Sequence, residues 1–540
     1  MKKYISGLAT IAAGFCLFAA SAQADYALSV LHINDLHSRI LPVNKYDSTC
    51  GDKDLAEGKC FGGFARVSQA LNDRRDALQG EGKNVLVLDG GDQFQGSLFY
   101  TKYKGQATVE LMNKTGFDAM TIGNHEFDDG PENLLAFLKK ANFPVIGANT
   151  VASSKSVLRG QYASSIVLDK GGEKIGIIGA LAEDTDETSS PGAEIELFDI
   201  VGAVQRVVDQ MEAQGVNKII LLSHIGVPRD IEVAEQVSGL DVIVGGHSQV
   251  LLSNSSEKAY GPYPIVATSK EGHKVPIVQA YAYSKYMGEL NLTFDDAGVV
   301  TGWNGDTILL DSSFPEDQVM KARIAELYVP LKEIENRMVG VAASAIVGSR
   351  DVCRAAECEM GNLVADAMLS RVNANGGDAV IALQNGGGVR ASIDAGPVTM
   401  GEVLTVLPFQ NSIATFKLKG ADFISALENG LSKVEEGAGR FPQVSGARYT
   451  WNPAAEAGAR IVSVDVGNEK DGFTALDPDK IYSMVTNNYL RGGGDGYKIL
   501  ATKAIDAYDF GPSLEDALAE YIGTHGPIKG SVTGRITVQK

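Results

Sequence analysis

The sequence is short of basic residues. Its 540 residues include 48 lysines and arginines against 67 aspartates and glutamates, which gives a formal net charge of −19 at pH 7. A protein that binds a nucleic-acid backbone needs a basic stripe, because its contacts with phosphate are electrostatic. The composition therefore argues against a nucleic-acid partner. A small anionic substrate would need a local cluster of cations, either basic side chains or metal ions, to overcome the overall field.

Long apolar runs are also scarce. Residues 5–20 are nearly all apolar, and no later stretch has the length of about 18 residues expected of a membrane-spanning helix. The apolar run follows Lys2 and Lys3 and precedes a small-residue cleavage sequence at residues 22–24, a pattern typical of a secretory signal peptide. We therefore predict a signal peptide at residues 1–24, a periplasmic or secreted location and no stable membrane insertion after signal removal. A retained membrane anchor is the alternative.

Cysteine is rare as well. One of the five cysteines lies in the predicted signal peptide, and the other four form two close pairs, Cys50 with Cys60 and Cys353 with Cys358. Export to an oxidising compartment favours a disulfide within each pair. Four free thiols are the alternative. A zinc site is less favoured, because the pairs lie in different halves of the chain and neither has a neighbouring histidine.

The length of the chain predicts more than one domain, since it exceeds what a single ordinary core accommodates. Strand-like and helix-like runs alternate in the first half, which indicates an α/β layered domain over residues 25–311. A long polar helix, interrupted by Pro330, indicates a linker over residues 312–340. A second mixed α/β domain with glycine-rich loops is predicted over residues 341–540.

Histidine is scarce, and its placement is not random. Four of the seven histidines belong to polar clusters that follow predicted strands, whereas His32, His273 and His525 are interpreted as structural. Open α/β sheets place their ligand crevices at the carboxyl ends of strands. Imidazole, carboxylate and amide donors suit zinc, manganese or similar divalent ions, and two adjacent ions can share one carboxylate. The donors in these clusters are Asp35, His37, Asp92, Asn124, His125, His224, His247 and Gln249.

The spaced set D-x-H, G-D, G-N-H-E, H and G-H-x-Q resembles the calcineurin-like metallophosphoesterase superfamily. The fuller match, over nearly all of the mature chain, is to its 5'-nucleotidase family, and Gln249 is similar to the bacterial periplasmic branch that includes UDP-sugar hydrolases. The resemblance implies a four-layered metallophosphatase domain, a linker helix and a C-terminal α/β substrate-binding domain. It implies two divalent ions, one held by Asp35, His37 and Gln249 and one by Asn124, His224 and His247, with Asp92 between them.

The resemblance also assigns His125 and Asp128 as a catalytic dyad. His125 directly follows a predicted metal ligand, and Asp128 can accept a hydrogen bond from the other ring nitrogen and stabilise the imidazolium. The alternative for Asp128 is an N-terminal cap of the helix that begins near Pro131. Glu126 is interpreted as a supporting residue.

Residues of the C-terminal half resemble the substrate-binding set of the same family. The guanidinium group suits phosphate, because its planar fork binds two oxygens at once. Aromatic rings can stack on a nucleobase of any identity. The predicted phosphate ligands are Arg350, Arg354 and Arg390, the stacking pair is Phe409 and Tyr489, and the nucleoside contacts are Asn385 and Asp495. Arg491 stands where a small residue is expected, which leaves base preference open.

These features and the resemblance together predict an exported, two-metal 5'-nucleotidase that hydrolyses nucleoside 5'-monophosphates, with di- and triphosphates as further candidates, in nucleotide scavenging. The partner is therefore a small nucleotide. Within the same fold, a UDP-sugar or NAD pyrophosphatase and a 2',3'-cyclic-nucleotide phosphodiesterase are alternatives. A catalytically idle nucleotide-binding protein is a third hypothesis, which the complete ligand set and dyad disfavour.

Overall fold

A computed structural model of the protein describes residues 25–44, 47, 50–509 and 511–539, without the side chains of residues 52, 53, 187, 188 and 350. The predicted signal peptide lies outside the described residues. Within the part of the chain that the structure describes, no helix is both long enough and apolar enough to cross a membrane.

The N-terminal domain contains two six-stranded sheets. The first has the order Val145–Ile146, Ala119–Thr121, Asn84–Asp89, Tyr26–Ile33, Tyr286–Phe294 and Val300–Leu309. Its first four strands are parallel, and the last two are joined to the sheet by antiparallel pairing. The second has four parallel central strands and an antiparallel strand at each edge, in the order Ile265–Thr268, Lys274–Val278, Val242–Val244, Lys218–His224, Glu173–Leu181 and Ser165–Lys170.

The two sheets pack face to face, and helices cover the outer face of each, so the domain has four layers. Alternate residues of the strands face the core between the sheets and the core beneath the helices. Val30 and Leu86 of the first sheet share a core with Ile220 of the second. Leu31, the next residue of its strand, points instead into a core beneath one helical layer, and Leu221 points into a core beneath the other. This alternation is the period-two pattern of a strand that is buried on both faces. The outer helices are Phe64–Gly80, Leu98–Tyr103, Gln106–Thr115 and Gly130–Leu138 on the first sheet, and Ile200–Glu212 and Val227–Gln236 on the second. The predicted four-layered domain is therefore confirmed.

A linker helix, Gln318–Glu335, joins the two domains. Its first turn is capped by the Asp317 carboxylate, which accepts hydrogen bonds from two backbone amides. The prediction that Pro330 interrupts this helix was wrong, because the helix continues through it. Proline removes one backbone hydrogen bond, but Leu327 and Leu331 on either side of it are buried in the core of the N-terminal domain and hold the helix in place.

The C-terminal domain is also α/β. Its main sheet has the order Pro442–Ser445, Ile381–Asn385, Ile481–Asn487, Ile413–Lys419 and Ile505–Tyr508, and a second sheet has the order Gly472–Ala475, Ile461–Asn468, Ala447–Trp451 and Ile536–Val538. The strands Met338–Ala342 and Gly396–Thr399 form a separate pair. The principal helices are Glu359–Ala374, Met400–Val406, Gly420–Leu431, Lys498–Lys503 and Leu514–His525.

Both predicted disulfides, Cys50–Cys60 and Cys353–Cys358, are confirmed by the structure. The second disulfide is buried. Its cysteines are five positions apart in the sequence, and the loop that they close contains Arg354. Gln443 holds the same loop, because its amide nitrogen donates to the carbonyl oxygens of Cys353 and Ala356. The backbone that presents Arg354 is therefore fixed from two sides.

Removing this disulfide should destabilise the C-terminal domain. In a Cys353→Ser/Cys358→Ser variant, we expect the free energy of unfolding of this domain to fall by about 2 kcal/mol, from the chain entropy that a loop this short restrains. Guanidinium titration in a Trp303→Phe background would follow Trp451, the other tryptophan, which is buried in the C-terminal domain. The matched Cys50→Ser/Cys60→Ser variant should leave that transition unchanged. An unaltered Trp451 transition in the first variant would contradict the prediction.

Candidate active site

The polar clusters meet where strands of both sheets end. Asp35 and Asp92 follow parallel strands of the first sheet, and His224 ends a strand of the second. The loops need unusual backbone conformations, since φ is positive at Asp35, His37, Asp92, His247 and Gln249. Non-glycine residues rarely adopt this conformation, and such strain is concentrated at functional sites.

One carboxylate oxygen of Asp92 lies at the centre of the site. Its Oδ2 atom is 3.1 Å from His224 Nε2, 3.7 Å from His37 Nε2 and 4.0 Å from His125 Nε2. Its Oδ1 atom accepts a hydrogen bond of 2.9 Å from the His125 backbone amide, which fixes the rotamer. Burial alone would raise the pKa of Asp92, but the imidazoles of His224 and His125 outweigh burial and lower it. The carboxylate is therefore anionic, and imidazole nitrogens lie on two sides of it.

Asp35, His37 and Gln249 lie on one side of Asp92. His37 Nδ1 donates to the Phe94 carbonyl, so its Nε2 atom points into the site, 3.7 Å from Asp35 Oδ1. That Asp35 oxygen is buried and has no hydrogen-bond partner among the described residues. The Gln249 amide nitrogen lies 2.7 Å from His37 Nε2. Because amide nitrogen and oxygen are distinguished only by their hydrogen bonds, rotation of this amide by 180° would present its oxygen as a ligand.

Asn124, His224 and His247 lie on the other side. His224 Nδ1 donates to the Gly90 carbonyl at 2.6 Å, which leaves Nε2 directed at Asp92. His247 Nδ1 lies 3.0 Å from Asn124 Oδ1. Burial would lower the pKa of His224, but the charge of Asp92 outweighs it and raises the pKa to about 10. This half of the site is thus electrostatically suited to a cation.

The donor set fits divalent metal ions. The ligand atoms of His37, Asp92 and His125 lie within 4.8 Å of one another, and so do those of Asp92, His224 and His247. Asp92 belongs to both groups. Carboxylate oxygen and imidazole nitrogen are the usual zinc ligands in catalytic sites, and the buried Asp35 Oδ1 atom lies beside this set, 3.7 Å from His37 Nε2.

His125 and Asp128 form a close pair. His125 Nδ1 donates to Asp128 Oδ2 at 2.7 Å, and Asp128 is held in turn by Gln95 and by the Ser189 hydroxyl. Burial would lower the pKa of His125, but the negative charges of Asp128 and Asp92 raise it to about 9. Asp128 does not cap the following helix, which begins at Gly130 after Asp129.

Glu126 supports the loops around Asp92. Its two carboxylate oxygens accept four backbone hydrogen bonds of 2.6–3.2 Å, from the amides of Asp92, Gln93, Phe94 and Gly123. The side chain thereby ties the loop after one strand to the loop after its neighbour. The sequence indicated only a supporting role, because nothing in it reveals which amides converge on this carboxylate.

A cleft of about 500 Å³ lies between the two domains. The N-terminal domain contributes the predicted metal ligand Gln249 together with Arg39 and Tyr283. The predicted substrate residues that line the cleft are Arg354, Asn385, Arg390, Phe409, Tyr489 and Asp495. Arg350 begins the short helix Arg350–Cys353, and its side chain lies outside the described residues.

Comparison with known proteins decides the family. Residues 28–251 match the model of the calcineurin-like phosphoesterases, and residues 338–502 match that of the 5'-nucleotidase C-terminal domain. A human 5'-nucleotidase is 36% identical over 534 residues, which covers 95% of this chain and 91% of the human protein. The chain belongs to the 5'-nucleotidase family. It is therefore a phosphoric ester hydrolase of a superfamily that uses divalent metals, and the resemblance inferred from the sequence is confirmed.

Solved structures agree with membership of the 5'-nucleotidase family. A 5'-nucleotidase precursor from Thermus thermophilus is 38% identical, with a TM-score of 0.64 over 95% of this chain and 99% of that one. The NAD nucleotidase of Haemophilus influenzae is 28% identical, with a TM-score of 0.71 over 96% of this chain and 100% of that one. The predicted two-domain α/β fold is confirmed.

Two arginines have surroundings that were not predicted from the sequence. Arg491, which raised the question of base preference, lies outside the cleft lining and binds Asp509 through two charge-assisted hydrogen bonds of 2.6 and 2.5 Å. Arg39 was not predicted. It reaches across the domain boundary to donate to the Phe409 carbonyl at 3.2 Å, and its guanidinium lies 5.2 Å from the Tyr283 ring centroid. Its position two residues after His37 was the signal available in the sequence.

Proposed function

We propose that this 5'-nucleotidase family member is an exported, two-metal enzyme that hydrolyses nucleoside 5'-monophosphates to nucleoside and phosphate. Nucleoside di- and triphosphates are further candidate substrates. The observation that carries the proposal is that one cleft joins Gln249 of the predicted metal-ligand cluster to the arginines, aromatic rings and Asp495 of the other domain. A monoester of a nucleoside has the three parts that this lining would recognise: a phosphate, a sugar with hydroxyl groups and an aromatic base.

The proposed ligands of the two divalent ions, zinc, manganese or similar, are Asp35, His37, Asp92, Asn124, His224, His247 and Gln249. When bound, such ions would stabilise negative charge on phosphoryl oxygens and lower the pKa of water. Asp92 would be the shared ligand, since its Oδ2 atom faces imidazoles on both sides.

The remaining steps belong to the protein's own side chains. Arg354 and Arg390, with Arg350 as a third candidate, would neutralise the phosphate, and Phe409 and Tyr489 would hold the base. The guanidinium of Arg390 already lies 5.5 Å from the Phe409 ring centroid, so phosphate and base subsites adjoin. Asn385 and Asp495 would hold the sugar.

His125 would act at the reacting phosphorus. Water attacks phosphorus in line, the bond from phosphorus to the 5'-oxygen breaks, and the nucleoside leaves with a proton. With Nδ1 fixed by Asp128, the Nε2 atom of His125 faces the space beside Asp92 and can donate a hydrogen bond to the phosphoryl group. A cationic imidazole would stabilise the charge that develops there.

A substrate panel tests the reaction. AMP, UDP-glucose, NAD and 2',3'-cyclic AMP should be compared by kcat/KM, and we expect AMP to give the highest value. The similarity to an NAD nucleotidase favours NAD as the second candidate substrate. Rapid opening of the cyclic ester, or cleavage of NAD or UDP-glucose, with no phosphate released from AMP would reject the proposed monoesterase.

Metal removal tests the metal requirement. Dialysis against a chelator should abolish phosphate release, and added zinc or manganese should restore it, because the proposed reaction depends on the electrostatic contribution of two divalent ions. Activity retained after the metal content has fallen below a tenth of an ion per chain would reject a metal-dependent reaction.

Export is part of the proposal. The pattern of residues 1–24 supports a cleaved signal peptide, and two disulfides suit an oxidising compartment. A relative from the snake Gloydius brevicauda, 34% identical over 97% of this chain and 90% of its own, is a venom 5'-nucleotidase. We propose domain boundaries at residues 25–311 and 341–540, with the linker between them. N-terminal sequencing of protein recovered from the periplasm or medium would test the cleavage site.

A further inference from the structure

The Asp495 carboxylate is held at the cleft wall by one hydrogen bond on each oxygen. Asn385 Nδ2 donates to Oδ2 at 2.7 Å, and the Tyr489 hydroxyl donates to Oδ1 at 3.1 Å. The backbone amide of Asp495 donates back to the same hydroxyl oxygen, also at 3.1 Å. Asp495 has a φ of 52°, a conformation that non-glycine residues rarely adopt, so its orientation depends on these contacts.

The two supports differ in rigidity. Asn385 ends a strand of the main sheet, and its Oδ1 atom accepts hydrogen bonds from the buried amides of Gln384 and Asn487. This side of the carboxylate is therefore fixed by the sheet. The other side depends on Tyr489, which lies in the short helix Asn488–Arg491 next to the glycine-rich loop.

The Tyr489 ring is positioned to serve two purposes. It lies directly on the backbone of Gly494, where an added Cβ atom would come within 2.5 Å of the ring. The side chain is nevertheless 47% exposed, so part of the ring remains open toward the cleft for a base. Its hydroxyl at the same time reaches Asp495, which links the stacking surface to the carboxylate.

We propose that the Tyr489 hydroxyl is a specificity-determining positioning group, which aims Asp495 at the vicinal hydroxyls of ribose and so makes the enzyme prefer ribonucleotides to 2'-deoxyribonucleotides. This inference rests on the proposed nucleotidase function. Each Asp495 oxygen accepts one protein hydrogen bond and keeps lone-pair capacity for a second. Two such oxygens match the two adjacent hydroxyl donors of ribose. A sugar without the 2'-hydroxyl leaves one acceptor unpaired, which is the kind of mismatch that polar sites reject most strongly.

Tyr489→Phe tests the hydroxyl alone, because the ring and its stacking surface remain. The ratio of kcat/KM for AMP to that for 2'-deoxy-AMP should fall by about fivefold to tenfold, the loss expected from one hydrogen bond. Most of this change should come from a lower kcat/KM for AMP. Tyr497→Phe is the matched control. It removes a hydroxyl that donates to the Arg440 carbonyl in the same region, and it should leave the ratio unchanged.

A double-mutant cycle identifies the route of the effect. If Tyr489 acts through Asp495, Tyr489→Phe should have no further effect on the ratio in an Asp495→Asn background. An unchanged ratio in Tyr489→Phe would overturn the inference. Equal losses for AMP and 2'-deoxy-AMP would overturn it as well, since they would indicate a purely stacking or structural role.

Binding separates this inference from the proposed reaction. Calorimetric affinities for adenosine and 2'-deoxyadenosine need no bond cleavage, so they report ribose recognition even when AMP is not hydrolysed. We expect the wild-type protein to bind adenosine more tightly, and Tyr489→Phe to reduce that preference by the same factor. Equal affinities in the wild type would reject the inference, whereas absence of phosphate release from AMP would reject only the proposed function.

Discussion

Replacing Asp92 with asparagine should lower kcat for AMP hydrolysis by at least about 10³-fold, because the two proposed cation sites would lose the carboxylate that they share. The substitution keeps the shape of the side chain and removes its charge. Its Oδ2 atom lies 3.1 Å from His224 Nε2 and 3.7 Å from His37 Nε2. Bound divalent metal should fall from two ions per chain to at most one. Phosphate release and elemental analysis on one sample would measure both effects.

Asp471→Asn is the matched control for this substitution. Asp471 is exposed in the turn before the strand Gly472–Ala475, where its carboxylate accepts a hydrogen bond from Asn468. Loss of the Asp471 charge should alter neither metal content nor kcat. The prediction about Asp92 would be wrong if Asp92→Asn kept two ions per chain and more than about a tenth of the wild-type kcat, since a shared ligand of both ions cannot be dispensable.

Replacing His125 with glutamine should lower kcat by about 10²–10⁴-fold, the usual contribution of a positioned acid or base, while both metal ions are retained. This combination separates catalysis from metal binding. The test is needed because the His125 ring also lies near His37 and Asp92, in one of the two groups that could hold an ion. Kinetics and elemental analysis of the purified variant would decide between the two roles.

Asp128→Asn should reproduce part of this loss. An amide can hold the ring by a hydrogen bond, but it cannot stabilise the cationic imidazole, which is the second role that we propose for Asp128. The double variant should be little worse than His125→Gln alone, because the two residues of the proposed dyad would act as a unit. Loss of a metal ion from His125→Gln, or fully additive effects in the double variant, would contradict the assignment of a dyad.

The sequence was sufficient for the features that depend on local order. The alternation of strands and helices predicted the layered domain, and the polar residues at strand ends predicted which side chains meet, because parallel strands end at the same edge of a sheet. Asp35, Asp92 and His224 lie together for that reason. The cysteine pairs could be predicted because each pair is close in the chain and no long-range folding is needed to join it.

Other features depend on contacts between distant segments and could not be predicted. The bond from Arg39 to the Phe409 carbonyl joins residues 370 positions apart. Glu126 was interpreted only as a supporting residue, because its sequence position does not reveal that its oxygens accept hydrogen bonds from four backbone amides. Arg491 lies beside the glycine-rich loop that was expected to line the cleft, but its side chain binds Asp509 instead. Pro330 was expected to interrupt the linker helix, but the helix continues through it because burial of neighbouring leucines outweighs the tendency of proline to break a helix.

Anomalous diffraction at the zinc and manganese absorption edges, from crystals of the full mature chain grown with each metal, tests the central claim most directly. We predict two anomalous peaks about 3.5–4 Å apart, with Asp92 between them, Asp35, His37 and Gln249 around one, and Asn124, His224 and His247 around the other. A single peak, or a pair that does not share Asp92, would contradict the two-metal site on which the proposed reaction depends.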